Sequence, residues 1–451
     1  MGLLLGSGTT KPQYPYDQWY GVQGDFTSKD KKLTRVGNMD LHRTLPIQSK
    51  LKRFVENPDG SVKYYLHQND SRKKDSGAAA VIDSTDGNVM LEKPEYYFRM
   101  EFEGTKWLRA YSEYPLPGFF KMKRRTCAPW YSSVSNGVAI SGCWLTWSGN
   151  EIARDSNGLI VYASGAPRGG NGTAAWDGTY RSLIGMPKTS VSKANVRGYC
   201  KNGTHHGAGL IFNEIAWLQR VEYASWDCQE TYNATLTADG FRQGGLGYGP
   251  AVASGEWSTH NGYNPFVPCG VTATLGNNTG RVNFTIKNWQ GSGSDKVVQV
   301  TSYRGLETPF EYLWLLADDL LVYHSPDTAE NRSTIYVCED PTKFAAPADN
   351  AAESQVPDGY VSMTDLPRAS GWVLQHGHSG KGYSFPESIG GSGNTGTCDY
   401  FWHPGATASG WYGALLAAHA VYGTYAGFGY LYTGYRSSGA NASTGFRLCR
   451  F

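Results

Sequence analysis

The sequence predicts an α+β fold in which few helices pack on short antiparallel sheets, preceded by a small β-rich N-terminal region. Three observations lead there. The 451 residues include 56 glycines and 14% aromatic residues, and glycine is costly inside helices while Tyr and Trp fill half-buried sheets and loops. Alternating apolar segments bounded by turn signals recur in the first 120 residues, as short strands do. Only three stretches carry a helical pattern, too few for a bundle, so they must pack on a sheet. A chain of this length also exceeds one ordinary core, so more than one domain is expected.

Taken in order, residues 1–30 (KPQYPYDQWYGVQGD in the middle) are rich in Pro, Gly and Tyr and predict an extended arm. Residues 31–120 predict a β-rich domain for attachment or oligomerisation, with strands at Ser61–His67 and Glu95–Phe102 and a turn at Asn57-Pro-Asp-Gly60. Beyond Arg125, glycine-rich loops alternate with helices in a larger domain over 121–451. Ser190 can cap a helix from Val191 to Lys201, stopped by Asn202-Gly203. Asn213 suits the start of a second, Glu214 to about Gln229, with Ile215, Leu218, Val221 and Ala224 as its buried stripe. Val271–Leu275 and Val282–Ile286 flank Gly276–Gly280 as a hairpin, and Val297–Thr301 follows another Gly/Ser loop. Thr308-Pro309-Phe310-Glu311 has the form of a capping box, and Phe310, Leu313, Trp314, Ala317 and Leu321 fall on one face of the helix it would open. Pro341 to about Pro357 is a surface loop or short linker by composition.

Net charge is +2 and the sequence pI about 8.0, which argues against nucleic acid or an anionic membrane as the main partner. Basic residues cluster at Lys50, Lys52 and Arg53, at Arg72–Lys74 and at Lys121–Arg125; strand edges and loops explain such clusters, and docking to a larger assembly is the other reading. Eight cysteines are spread singly without metal-ligand spacing, as small core residues are. Met1-Gly-Leu-Leu-Leu-Gly resembles neither a secretory signal nor an anchor, and no apolar run reaches bilayer length. The expectation is a protein made in the cytosol, with no membrane insertion, that reaches the outside by assembly into a particle.

The most informative stretch is Tyr412–Phe451. Its 40 residues contain no Lys, Glu, Gln, Met or Trp. Those five residue types cannot be reached by changing the two adenines of an AAC or AAT asparagine codon, and every type that does occur can be. Tyr, Ser, Gly, Ala, Asn and Thr are also the vocabulary of antibody loops, where Tyr gives large contact area at small entropic cost.

Three motifs then carry a resemblance. Asn213–Gln229 (NEIAWLQRVEYASWDCQ), Ser302–Asp319 (SYRGLETPFEYLWLLADD) and Trp411–Leu448 resemble, in that order, the central helix, the "SYRGIEN-PWGNIW" segment and the terminal "AGFGY…GFRL" strands of variable proteins of diversity-generating retroelements, especially major-tropism-determinant-like phage tail receptor-binding proteins. The match covers about 120–451. It implies a C-type-lectin-like fold, shared with formylglycine-generating enzymes, a homotrimer on the virion at the phage tail, attachment to other tail proteins through the N-terminal region, and recognition of a host-cell surface receptor, glycan or protein. No cofactor, metal or catalytic residue is implied. The variable region would span about 403–448. Within it Gly427, Gly429, Gly445, Phe446, Arg447 and Leu448 are expected as scaffold. Expected receptor contacts are Tyr412, His419, Val421, Tyr422, Thr424 and Tyr425, followed by Tyr430, Tyr432, Tyr435, Asn441, Ser443 and Thr444. The chain departs from the family at Pro309-Phe-Glu-Tyr-Leu-Trp314, and one asparagine, Asn441, remains in the terminal segment.

Other classes fit less well. A formylglycine-generating enzyme needs closely placed cysteines near the C-terminus, and Cys398 and Cys449 have none between them. A capsule hydrolase needs paired carboxylates; Asp318 and Asp319 are adjacent on the expected helix and would point apart toward solvent. His205-His206 and His376/His378 lack a third ligand at usable spacing. A bacterial surface-display protein would carry an export signal.

Overall fold

Tyr20–Asp25 pairs on one side with Thr34–Gly37 and on the other with Lys106–Ser112, and Tyr96–Glu103 and Phe120–Met122 complete an antiparallel five-stranded sheet. The computed structural model describes residues 16–135, 137–143, 160–161, 167–168, 185–286, 289–291, 294–326, 332–405 and 407–451. Over these residues the fold is mixed and mostly β, with four α-helices: α1 (Met39–Thr44), α2 (Lys193–Tyr199), α3 (Gly209–Tyr223) and α4 (Ser254–Asn261). The expected α+β class is therefore found. The arm expected over 1–30 is corrected from Tyr20 onward, where Tyr20 and Val22 are fully buried in the sheet; residues 1–15 lie outside the described residues.

A second sheet runs Asp70–Lys74, Val62–His67, Lys52–Glu56, Val89–Lys93, Arg125–Cys127 and, at its end, Cys449–Arg450. The strands expected near Ser61–His67 and Glu95–Phe102 are present, and Gly60 donates its N–H to the Asn57 carbonyl at 2.9 Å to close the turn between Asn57 and Gly60. The C-terminus thus finishes in a sheet begun by residue 52, and one hydrophobic core runs from Tyr20 to Cys449. Members of each basic cluster pair with nearby carboxylates. Lys50 pairs with Glu113, Lys121 with Glu95 and Arg72 with Asp70, while Arg53 is buried and donates to Gly305 and Ser71.

Helix α3 passes through the centre, and every residue of it except Asn213 is buried. It begins before the expected position because its cap comes from elsewhere: the Asp319 carboxylate accepts from the N–H groups of Gly209 at 3.0 Å and Leu210 at 2.7 Å, satisfying donors that a helix start leaves free. Asn213, expected as the cap, instead holds Ser384 through two bonds, to its carbonyl and from its N–H. The helix stops at Ala224, in a left-handed conformation (φ 47°). Its three acidic and basic side chains reach three surroundings. Glu214 pairs with Lys93 and Arg125, Arg220 with Asp399, and Glu222 with Arg304. Helix α2 is capped by Ser192, two residues after the expected Ser190.

The largest correction concerns Trp314–His324, expected within a helix and found as a strand buried at all 11 positions. A short run apolar on both faces suits a central strand as well as a helix, and here flanking strands decide: Ser333–Cys338 pairs with it on one side and Gly410–Leu416 on the other, both antiparallel. The capping-box residues lie in the loop before it, with Thr308 at φ 43° and Glu311 at φ 60°. The strand is central to a nine-stranded sheet that continues through Leu431–Tyr435, Tyr400–Trp402, Gly371–His378 and Ser384–Ile389, with Tyr360–Leu366 at the other edge and Thr444–Gly445 alongside Trp314. Its register shifts between Ala317 and Leu321. Bulges leave backbone groups unpaired, and here the buried Lys193 ammonium donates to the carbonyls of Ala317 and Leu320. Asp318 and Asp319 sit in this irregularity rather than on a solvated helix face. Asp318 takes both contacts of Arg197, at 2.7 and 2.8 Å, and lies 3.0 Å from His206.

Two smaller differences remain. Val271–Leu275 forms a 3₁₀ turn, so the hairpin partners are Gly280–Ile286 and Lys296–Tyr303. Pro341–Pro357 is irregular apart from 3₁₀ turns at Pro341–Lys343 and Glu353–Gln355. All eight cysteines are free thiols, seven of them buried.

Candidate functional site

The end of strand Gly410–Leu416 delivers the chain to the surface through two left-handed alanines, Ala417 (φ 73°) and Ala418 (φ 56°), both buried. Such backbone is costly for residues with a Cβ and persists where surrounding structure over-determines it. The surroundings here are specific. Glu311 donates its N–H to the Ala417 carbonyl at 2.9 Å, Ala420 donates to Tyr312, and Val252 donates to Ala420. The segment 417–420 is thus clamped between 311–312 and 252 and forms the floor from which residues 421–425 project.

Above that floor lies a continuous aromatic surface. Tyr422 meets Trp314 edge-on at 5.0 Å and His419 at 4.7 Å. Tyr432 stacks on Trp402 with centroids 4.2 Å apart and planes 6° apart. Tyr425, 42% exposed, stacks on Trp372 at 5.2 Å and meets Tyr400 at 4.6 Å. Offset and edge-on rings attract beyond their buried area, so each tyrosine is held on a second aromatic that fixes its orientation. Next to this surface is an open groove of about 650 Å³, lined by Ser254, Gly262 and Tyr263 from one part of the chain and by His419, Val421, Tyr422, Tyr425 and Asn441–Ser443 from the terminal segment.

The expected contact residues divide. His419, Val421, Tyr422, Tyr425, Asn441 and Ser443 line the groove, Thr424 is exposed beside it, and Tyr432 is half-buried on the aromatic surface. Tyr412 is half-buried apart from the groove, with the Arg436 guanidinium 3.6 Å above its ring and His324 at its edge. Tyr430, Tyr435 and Thr444 are corrections: they are 0%, 7% and 0% exposed. The strand Leu431–Tyr435 alternates, placing Leu431, Thr433 and Tyr435 inward and Tyr432 and Gly434 outward. Thr444 pairs directly with Trp314 in the sheet, and Tyr430 is packed between Trp314 at 5.1 Å and Tyr400 at 5.8 Å. These three support the surface from beneath.

The expected scaffold residues do hold the site. Arg447 is fully buried, donates to the carbonyls of Glu307 at 2.7 Å and Thr308 at 2.9 Å, and lies over the Tyr131 ring. Gly429 donates its N–H to Asp399 at 3.0 Å, and a Cβ there would stand 2.2 Å from the same carboxylate, so only glycine fits. Asp399 also meets Arg220 and His376 at 2.7 and 3.1 Å, and these partners hold its carboxyl below the usual range against the effect of burial. His419, by contrast, is pushed down to about 4 by burial and is neutral at physiological pH.

Glu311 carries the most perturbed carboxyl next to the floor. Burial raises it from 4.5 to about 8, against a hydrogen bond from the Gly249 N–H at 2.7 Å. A carboxyl whose folded pKa is raised stabilises the fold below its unfolded pKa and loses that contribution as pH rises through the folded value. Glu311→Gln is therefore expected to match the parent near pH 4.5 and to melt at progressively higher temperature than the parent as pH approaches 8. Melting curves across that range check it; parallel curves for the two proteins refute it.

Sequence reasoning missed the second layer: Trp314, Trp372, Tyr400 and Trp402, and the groove wall at Ser254–Tyr263. The clustering of aromatics in Tyr400-Phe-Trp402 was a usable signal, but nothing in a linear sequence places it beneath Tyr425. Among the described residues no group of three or more His, Cys, Asp or Glu could hold a metal ion, and no helix is long and apolar enough to cross a membrane. His206 and His376 each contact a buried aspartate. Comparison of the chain with protein-family models and with the curated proteins finds no match.

Proposed function

We propose that this chain is a phage tail receptor-binding protein, a variable protein of a diversity-generating retroelement, whose C-type-lectin-like C-terminal part presents residues of 412–444 to a host-cell surface receptor. The proposal includes a homotrimer on the virion, joined to other tail proteins through the N-terminal region, and a binding rather than a catalytic role. The observation that carries it is the pairing of two properties in one place. The terminal segment is restricted to residue types reachable from adenine-edited asparagine codons, and its outward side chains, Tyr422, Tyr425 and Tyr432, rest on aromatics from outside that segment. A surface meant to change needs a support that does not. Trp314, Trp372 and Trp402 supply it, and Arg447 and Asp399 fix the strands that carry them. Tyrosines among small residues give contact area with little entropy loss, and several trimers on one particle raise modest single-site affinity by multivalency.

The test is sequencing of the gene and its neighbourhood in independent lineages. The expected result is a reverse-transcriptase gene, a near-copy of the 3′ segment, and substitutions confined to positions where that copy has adenine. Substitutions scattered evenly over all codons of 403–448, with no near-copy, would refute the assignment to this class.

A further inference from the structure

The groove beside the aromatic surface is composite: one wall belongs to the terminal segment, the other to α4 and its C-terminal turn. The α4 wall is a built feature. Gly262 and Tyr263 are both left-handed, at φ 62° and 64°. The Tyr263 hydroxyl lies 3.0 Å from the Ser254 hydroxyl, and its ring meets Trp257 edge-on at 5.5 Å. Gly262 is the ordinary helix cap, whereas left-handed backbone at Tyr263 is strained and held by its neighbours, as occurs at ligand sites. Tyr422, Tyr425 and the exposed Asn441 line the same groove.

The chemistry of the lining is uniform. It offers aromatic rings, hydroxyls and one amide, and among the described residues no Asp, Glu, Lys or Arg lines it. The acidic residue of α4, Glu256, is engaged by Lys296 at 2.8 Å. An ionised ligand placed here would lose hydration without a counter-charge, which is unfavourable, whereas pyranose rings present C–H faces that lie on aromatic rings and hydroxyls that bond to Asn, Ser and Tyr. Resting on the receptor-binding reading above, we propose that the receptor is an uncharged glycan, seated between a fixed wall at Ser254–Tyr263 and a changeable wall at 419–425 and 441–443. The fixed wall supplies recognition common to all variants, and the terminal segment selects among neutral sugars.

The experiment screens the purified full chain against a panel of bacterial isolates and proceeds on those to which it adsorbs. Periodate, which cleaves vicinal diols of sugars, is expected to abolish adsorption, protease treatment of the cells to leave it intact, and added sodium chloride to leave it unchanged, because screening acts on charge pairs. Tyr263→Ala is expected to weaken adsorption about tenfold or more, as loss of an anchoring aromatic does, although it lies outside the terminal segment. Ser254→Ala, an exposed position on the same fixed wall, is also expected to weaken adsorption and reads that wall should the first variant fold poorly. Adsorption that survives periodate or is lost with protease assigns a protein receptor; a steep loss with salt assigns a charged one. Either overturns the glycan inference and leaves the receptor-binding reading standing. Adsorption to no cell at all overturns both.

Discussion

Replacing Arg220 by Met is expected to destabilise the protein by about 3–5 kcal/mol, the usual consequence of removing one partner of a buried pair. Arg220 and Asp399 are 3% and 1% exposed and 2.7 Å apart, and the guanidinium also lies against Trp217 and Trp226. The variant leaves the Asp399 carboxylate with only His376 and the Gly429 N–H. The Asp399 carboxyl is depressed in the folded protein, so its contribution is present above the unfolded value, about 3.9, and is lost as pH falls through the folded one. Without Arg220 the carboxyl rises and takes up a proton more readily, so the gap between parent and variant should narrow on acidification. Denaturant titrations at neutral and acid pH read both effects. Arg220→Met combined with Asp399→Asn should recover part of the loss, because replacing both partners is far milder than orphaning one. The damage should extend to the binding surface, since Asp399 also holds Gly429 at the start of the Tyr430–Tyr435 stretch.

The sequence was most legible where local chemistry and tertiary context agree. Strands at Val62–His67 and Tyr96–Glu103 have alternation and turn signals that packing only reinforces. It was misleading where the deciding partner is distant. Trp314–His324 satisfies a helical spacing, yet two neighbouring strands claim it. Helix α3 starts early because Asp319, 110 residues away, caps it. The same logic divides the site. The terminal segment stands out by its residue types, because it lacks Lys, Glu, Gln, Met and Trp and is rich in Tyr, Gly and Ala. Which of its tyrosines face outward depends on the phase of Leu431–Tyr435 in the sheet, and a one-residue change of phase exchanges inside for outside. The groove's second wall, from α4, left no local mark at all.

The second large effect concerns that surface directly. Tyr422, Tyr425 and Tyr432 are the outward rings, each backed by a tryptophan at 5.0, 5.2 and 4.2 Å, whereas Arg447, Asp399 and Tyr430, which hold the strands, are buried. A few anchoring aromatics usually carry most of an interface's energy, and losing three from one patch removes more than the surrounding contacts can supply. The simultaneous substitution Tyr422→Ala, Tyr425→Ala and Tyr432→Ala should therefore leave a cooperative melting transition in place, lowered modestly by the lost ring contacts, while binding to cells disappears. Measuring adsorption of this triple variant beside its melting curve is the most direct test of a changeable aromatic face carried on an unchanging frame. A folded variant that no longer adsorbs is the expected result; a folded variant that adsorbs as the parent does would contradict the account.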